Sequence, residues 1–334
     1  MRKKIAVSAL LVLACICLPL FFAGPAALRS SPTPAPTVDA SPTPDVAPQT
    51  SGSADGEIRL TVFLDGENAE RTMAEYLPLS VAAEMPASFE SEALKAQAVA
   101  IRTYILYRSE HRTMNHPDSD VCSDPGCCKA YVSEESLREK WGSSYDAYFG
   151  KIESAVRATD GQYLSYGGAV IQAVFHSSSP GRTEASGNIW SPLPYLVSVD
   201  SPEGQDDVPN YITTVEVAPA NLRQTTLASY PEAVFGEDPA QWIGPTGYYD
   251  SGRVAYLNLG GIAIPGSEMR GMFSLRSACF TLEYTGEFFL FTVTGYGHGV
   301  GLSQYGANVM AKSGTAYADI LAHYYLGTNL ETPR

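Results

Sequence analysis

Positive charge is scarce in this 334-residue chain: 22 basic residues stand against 36 acidic ones, a formal −14. That balance argues against nucleic acid as a partner and against docking on an anionic lipid surface. Nucleotide motifs are missing as well. No G-x-G-x-x-G follows a first strand, and Gly295, Gly297, Gly299 and Gly301 have no Lys-Ser/Thr behind them to cradle a phosphate. The G-x-S-x-G elbow of serine hydrolases is absent. Ser177, Ser178 and Ser179 beside His176 do not replace it, because adjacent side chains on a strand face opposite ways. Cysteines number only six, with no paired C-x-x-C among them. Apolar material is not lacking: 45% hydrophobic and 17% charged residues suffice for a core and exclude global disorder.

The chain starts with Arg2, Lys3 and Lys4 and an uncharged run from Ile5 to Ala23. At ~1.5 Å rise per residue that run matches the ~30 Å apolar thickness of a bilayer. Cations before it favour a cytoplasmic N-terminus, so residues 1–28 read as a stub and transmembrane anchor with everything after them exported. The alternative is a cleaved signal peptide. Its apolar core is usually ~7–15 residues, and Pro25 spoils the small-residue site at 23–27. Residues 29–56, with Ser-Pro-Thr-Pro twice, read as a semi-extended tether that cannot bury a core. The remaining body, residues 57–331, belongs to an exported part with 18 basic and 33 acidic residues, a formal −15.

That body reads as one large α+β domain with no internal repeat. Arg59–Leu64 alternates as a half-buried strand before an Asp65-Gly66 turn. Pro78 suits a helix's first turn, and Leu79–Glu84 forms a short helix stopped by Pro86, leaving Glu84 in its last turn. A longer helix is expected from Ser91 to Arg108, with Leu94, Ala98, Ile101 and Ile105 on one face and Lys95 and Arg102 solvated. Tyr104 reads as core packing. Segments 168–176, 195–199 and 287–294 read as strands. Residues 315–326 read as a closing helix with Gly327 at C′.

Cys122, Cys127 and Cys128 fall within seven residues, and His116 lies six before Cys122, in a loop punctuated by Pro117, Pro125 and Gly126. One imidazole and two or three thiolates can close the tetrahedron that structural zinc prefers. A disulfide from Cys122 to Cys127 or Cys128, with one thiol left over, is the alternative for an exported chain.

Four blocks carry a resemblance. They are Tyr76-Leu-Pro-Leu-Ser-Val-Ala-Ala-Glu84-Met-Pro continuing to Tyr104, Phe175-His-Ser-Ser-Ser-Pro-Gly-Arg-Thr-Glu184 with Trp190 and Pro194-Tyr195-Leu196, Gly297-His-Gly-Val-Gly-Leu-Ser-Gln-Tyr-Gly-Ala307, and His323-Tyr-Tyr-Leu-Gly-Thr328. In this order they resemble the stage II sporulation protein D family, which includes the amidase-enhancer proteins. The resemblance implies an α+β body on the mother-cell membrane, acting on the septal wall during engulfment. It implies a lytic transglycosylase that cleaves the MurNAc–GlcNAc β-1,4 bond of peptidoglycan strands denuded by an amidase, stage II sporulation protein P, with stage II sporulation protein M as a further partner. The amidase-enhancer branch implies a different class, a non-catalytic activator of an amidase. The family's catalytic glutamate maps to Glu84. Its clostridial His-x5-Cys-x4-His-Cys zinc motif maps to His116, Cys122, Cys127 and Cys128, with Cys127 in place of the second histidine.

The residues around Glu84 suit that role independently. An acid that protonates a glycosidic oxygen near neutral pH must be kept neutral, and a helix C-terminus with Val81, Met85 and Phe89 nearby favours the neutral form. A hydrolase needs a second carboxylate. Glu90, Glu92 and Glu184 read instead as helix-end and surface charge. His298, flanked by glycines that allow a ligand close to the backbone, is assigned to sugar binding. Ser303, Gln304 and Tyr305 open a helix and offer polar groups to glycan hydroxyls. His176, Ser177 and Arg182 of the second block complete the expected substrate-binding set.

Overall fold

The computed structural model describes residues 52–332 except Asp65, Pro125 and Lys129. The expected anchor and most of the tether, with Cys15 and Cys17, lie outside the described residues. No helix among the described residues is long and apolar enough to cross a membrane. Ser53, inside the stretch whose composition reads as tether, already belongs to a folded element. Ser53 caps helix α1 (Ala54–Glu57) and donates to Asp160 at 2.7 Å, while Asp55 pairs with Arg102 at 2.6 Å. Arg102 is therefore not solvated as expected. It is 0% exposed, and Thr159 and the Gln162 carbonyl take its remaining donors.

Strands β1 (Arg59–Leu64) and β2 (Glu67–Thr72) form an antiparallel hairpin closed at Gly66, whose φ of 91° suits glycine. Helix α2 (Met73–Glu84) starts earlier than Pro78 suggested, because Thr72 and Glu75 make a reciprocal capping box. Pro78 thus sits inside the helix. Burial of Met73, Leu77 and Val81 offsets the ~3 kcal/mol that an internal proline costs. The helix ends as expected: Met85 is extended before Pro86.

Helix α3 (Ser91–Glu110) is buried on all sides from Ala93 to Ile105 apart from Lys95, and it packs against α2 and the helices introduced below. Its cap is Glu90 rather than Ser91. Strand β3 (Val121–Cys122) joins β1 in parallel. Helices α4 (Glu134–Trp141) and α5 (Tyr145–Ala158) follow, then β4 (Tyr163–Tyr166), β5 (Ala169–Val170) and β6 (Phe175–His176). The expected strand over 168–176 is interrupted because the chain folds tightly at 171–174, with Ala173 N–H on Ile171 O and Val174 N–H on Gln172 O. Residues 195–199 make only scattered bonds to 183–186 and are not a strand.

Residues 212–294 build a second hydrophobic core that the sequence reading did not separate. Strands β7 (Ile212–Val217), β11 (Phe280–Tyr284) and β12 (Phe289–Thr294) form one sheet in the order β11-β12-β7. Helix α6 (Pro219–Ser229) lies between β7 and a meander of β8 (Ile243–Tyr248), β9 (Val254–Leu259) and β10 (Ile262–Pro265), and helix α7 (Gly266–Met272) follows it. Phe289, Phe291, Leu222 and Leu259 close this core. The chain then returns to the first core through β13 (Leu302–Ser303), parallel to β6, α8 (Gln304–Lys312), α9 (Tyr317–Tyr324) and β14 (Asn329–Glu331). Helix α9 is shorter than residues 315–326, since Tyr325 has already left helical geometry with ψ at 81°, but Gly327 does adopt a positive φ of 71°. The α+β class holds.

Candidate active site

Glu84 is half-buried at the C-terminal end of α2, and its position is fixed from two sides. The Ala130 N–H donates to its Oε1 at 2.9 Å, and the Ser80 hydroxyl donates to the Ala130 carbonyl at 3.0 Å. One turn further back, Tyr76 stacks on Tyr131 with ring centroids 5.2 Å apart. Tyr76, Ser80 and Glu84 are spaced by four, so one stripe of α2 grips the segment after Cys128. From the other side α8 holds the backbone. Gln304 Nε2 donates to the Glu84 carbonyl at 3.0 Å, and Asn308 Oδ1 accepts from the Glu90 N–H at 2.8 Å. Both ends of the Glu84–Glu90 loop are thereby pinned by one face of one helix.

Three cavities adjoin one another here, and this carboxylate lines two of them. One of about 340 Å³ lies between Ala82–Ser88 and Lys140, Trp141 and Tyr148. A second, about 490 Å³, shares Ala83 and Glu84 with it and is lined by His176, Ser177, Arg270, Tyr296 and His298. A third, about 480 Å³, shares Cys128 and His298 with the second and is lined by Tyr107, Trp190 and Leu193. Among the described residues, Glu84 is the only carboxylate lining any of the three. Glu92 is tied to Lys95 and the Tyr317 N–H, and its pKa is lowered: burial raises it, but those hydrogen bonds outweigh burial. Glu184 is buried among Ser251, Asn188 and the Ala185 N–H, and Glu90 is exposed.

The structure brings the expected metal ligands together. One donor atom each from His116, Cys122, Cys127 and Cys128 lies within 4.8 Å of all the others, and the thiols are free of disulfides. His116 Nδ1 faces the Ser119 carbonyl at 3.2 Å, which assigns it the proton and leaves Nε2, 3.2 Å from Cys128 Sγ, as the lone-pair donor. Burial pushes the Cys122 thiol up to about 12 and raises Cys128. It would raise Cys127 too, but hydrogen bonds from Asn115 and its other neighbours bring that thiol down to about 7. Three sulfurs and one oriented imidazole fit a tetrahedral zinc ion by donor type and proximity.

His176 is buried, with Nε2 2.6 Å from Ser179 Oγ and Nδ1 3.2 Å from the Val300 carbonyl. Burial first, then the neighbouring His298 and Arg253, drives its pKa well below that of a free imidazole. Ser179 is itself fully buried, so this pair offers no reachable nucleophile. His298 accepts from the Val300 N–H through Nδ1 at 3.1 Å and packs near Trp190, centroids 5.0 Å apart. Its flanking glycines serve a purpose other than the one expected. A Cβ on Gly299 would sit 2.2 Å from the Arg253 guanidinium carbon, and one on Gly297 2.8 Å from the His176 Cβ. They admit the protein's own chain beneath His298.

Of the remaining expected binding residues, Ser177 and Gln304 line the central cavity. Tyr305 packs edge-on against Phe89 at 4.9 Å. Ser303 is 0% exposed, caps α8 and donates to buried Glu203, so it faces the interior. Arg182 is exposed, pairs with Asp200 at 3.0 Å and lines none of the three cavities. Sequence reasoning missed Ala130, whose contribution is a backbone amide, and Arg270, which comes from the second core and sits in no motif. It missed Trp141 and Tyr148 as well, which line the first cavity.

A family model described as SpoIID, stage II sporulation protein, matches residues 67–166, which include Glu84 and all four clustered thiol and imidazole residues. Stage II sporulation protein D of Bacillus subtilis (strain 168) is 37% identical over 261 residues, 77% of this chain and 74% of that protein. The protein of the same name from Bacillus amyloliquefaciens is 36% identical over 77% of this chain and 74% of its own length. The amidase enhancer of Bacillus subtilis (strain 168) is 28% identical over 74% of this chain and 39% of its own length. With the likeness running through the site and most of both sporulation proteins, the chain belongs to the stage II sporulation protein D family.

Proposed function

We propose that this protein is a lytic transglycosylase that cleaves the β-1,4 bond between MurNAc and GlcNAc in peptidoglycan, acting on the septal wall during sporulation. The observation that carries the reading is one carboxylate, Glu84, lining two of three adjoining cavities, with no other carboxylate among the described residues that line them and aromatic residues in the two outer ones. Trp141 and Tyr148 on one side and Trp190 and Tyr107 on the other offer apolar faces for sugar rings. One acid without a second argues against hydrolysis by paired carboxylates. The chemistry balances with one group. Glu84 protonates the glycosidic oxygen as the C–O bond breaks, the sugar's own 6-hydroxyl attacks the anomeric carbon, and the carboxylate takes up that hydroxyl's proton to leave a 1,6-anhydro end. Ala130 occupies Oε1 as a hydrogen-bond donor, so the proton is carried on Oε2.

His116, Cys122, Cys127 and Cys128 would hold one zinc ion with a structural role, fixing the 116–128 loop. That loop runs two residues later into Ala130, the amide that orients Glu84. The N-terminal apolar run and the tether would hold the body at the membrane. The partner amidase is the stage II sporulation protein P type, with M in the same assembly. The second reading, a non-catalytic amidase activator, draws on the likeness to a protein named amidase enhancer.

Incubation of the protein with denuded glycan strands, followed by mass spectrometry, separates the two. Anhydro-muramyl ends are expected from the wild type, and Glu84→Gln should lower their rate by at least about 10²-fold while leaving the fold intact. No anhydro product from the wild type would leave only the activator. Purified protein is expected to carry about one zinc per chain, and fully active, metal-free Cys122→Ser/Cys128→Ser protein would remove the metal from the account.

A further inference from the structure

The meander of β8, β9 and β10 has one face turned into the second core and one turned away from it. Leu257, Leu259 and Ile264 fill the inner face. On the other face the middle strand β9 carries Tyr256 and Asn258, and the residues beside them are small or flat. Tyr256 stands between Gly247 of β8 and Pro265 of β10, and Asn258 has Ala263 of β10 opposite it. Glycine weakens a strand, and in a strand it marks the close approach of another group. Here that group is known. A Cβ on Gly247 would sit 2.4 Å from the Tyr256 ring, and one on Gly244 2.8 Å from Asn258 Oδ1. Both side chains therefore lie down over the β8 backbone, in space that larger residues would occupy. Tyr256 is nonetheless 45% exposed. The result is a flat platform of one aromatic ring and one amide, with no charged residue among the six that form it.

The chemistry of that platform narrows its ligand. A nucleobase would also stack on a tyrosine, but strands of nucleic acid need basic groups beside the ring, and this protein is strongly acidic. A protein partner needs several buried anchors, and glycine, alanine and proline supply none. A sugar ring needs only what is there: an aromatic face for its C–H surface and an amide for its hydroxyl or acetamido groups. Tyr256 and Asn258 are two residues apart on one strand, about 6.5 Å, so a sugar seated on the ring brings its substituents or the next sugar over the amide. The location agrees. Tyr248, next to Gly247, is exposed, and the Tyr249 hydroxyl donates to the Asn188 carbonyl at 3.3 Å. Two residues beyond Asn188 is Trp190, which lines the outer cavity with His298. Strand β8 thus leads from the platform to the outer end of the row of cavities.

We propose that the outward face of the meander, through Tyr256 and Asn258, is a second glycan-binding site that holds the strand where it leaves the cavities past Trp190. This step rests on the glycan reading above. Its consequence is a dependence on strand length: a short oligosaccharide fills the cavities alone, and a long strand engages both sites at once and gains from the effective concentration that the first contact creates.

The test measures binding rather than turnover, in full-length Glu84→Gln protein, so that it does not depend on cleavage. The probes are a peptide-free MurNAc–GlcNAc tetrasaccharide and long, size-fractionated peptide-free strands. Adding Tyr256→Ala should weaken binding of the long strands about tenfold and leave the tetrasaccharide's affinity unchanged, which also serves as the check on folding. Tyr256→Phe, which keeps the ring, should bind both probes as the parent does. Unchanged affinity of Tyr256→Ala for the long strands would overturn the proposal and leave this face to another partner. An equal loss for both probes would overturn it too, since Tyr256 would then act through the fold or the cavities. A loss confined to long strands, but no anhydro product from wild-type protein, would sink the enzymatic reading alone. Binding of neither probe to the parent would sink both.

Discussion

Glu84 and His176 show how differently two titratable residues of one cavity are treated. Glu84 is half-buried with one amide donor on its carboxylate, and it lines two of the cavities. His176 is sealed, its two ring nitrogens occupied by Ser179 and Val300, and it is held neutral. Because the folded chain resists protonating His176 while the unfolded chain does so below about 6.5, stability attributable to this residue is present above that pH and is lost as pH falls. Urea unfolding of the wild type from pH 7.5 to 5 should show that loss, with a slope of up to ~1.4 kcal/mol per pH unit from this ring. His176→Gln should flatten it, and an unchanged slope would mean the imidazole is not what titrates. Glu84 was legible from its place before Met85-Pro86. The burial of His176 was not, since a histidine before three serines carries no sign of which way the strand faces.

Helices α2 and α8 act on the site as rows of side chains, each spaced by four. The stripe Tyr76, Ser80, Glu84 reaches the segment at 130–131, and Gln304 with Asn308 reaches both ends of the loop at 84–90. Asn308 binds backbone and lines none of the three cavities, so its loss should loosen the Glu84 loop without removing a cavity-lining group. Asn308→Ala is expected to lower kcat about tenfold with KM little changed, because misplacing a catalytic group acts mainly on the chemical step. A rise in KM alone would assign Asn308 to binding instead. The same logic runs through the cysteine loop. On the proposed zinc reading, a chelator should lower the melting temperature and, by freeing Ala130, lower kcat more than it raises KM. The helix periods were readable from the sequence, and so were the clustered ligands. Their targets were not, because a backbone amide such as that of Ala130 has no sequence signature.

At the scale of the whole molecule, a second core between residues 212 and 294 is set into the first, and the cavity draws on both: Glu84 and His176 from one, Arg270 from the other. That insertion was invisible to periodicity, since its short strands alternate much like those around them. The N-terminal boundary was misjudged for a related reason. Asp55 stands in a stretch rich in Gly and Ser, yet it enters the first core to meet Arg102, which also draws on Thr159 and two carbonyls. Breaking this pair leaves a buried guanidinium without its counter-ion, and Asp55→Ala should cost about 3–5 kcal/mol in urea unfolding of the full chain. If that cost comes from the stranded charge rather than from lost chain contacts, removing the charge as well should recover much of it. Asp55→Ala/Arg102→Met is therefore expected to be more stable than Asp55→Ala alone. A double variant as unstable as the single would mean that α1 itself, and not the ion pair, holds the start of the body in place.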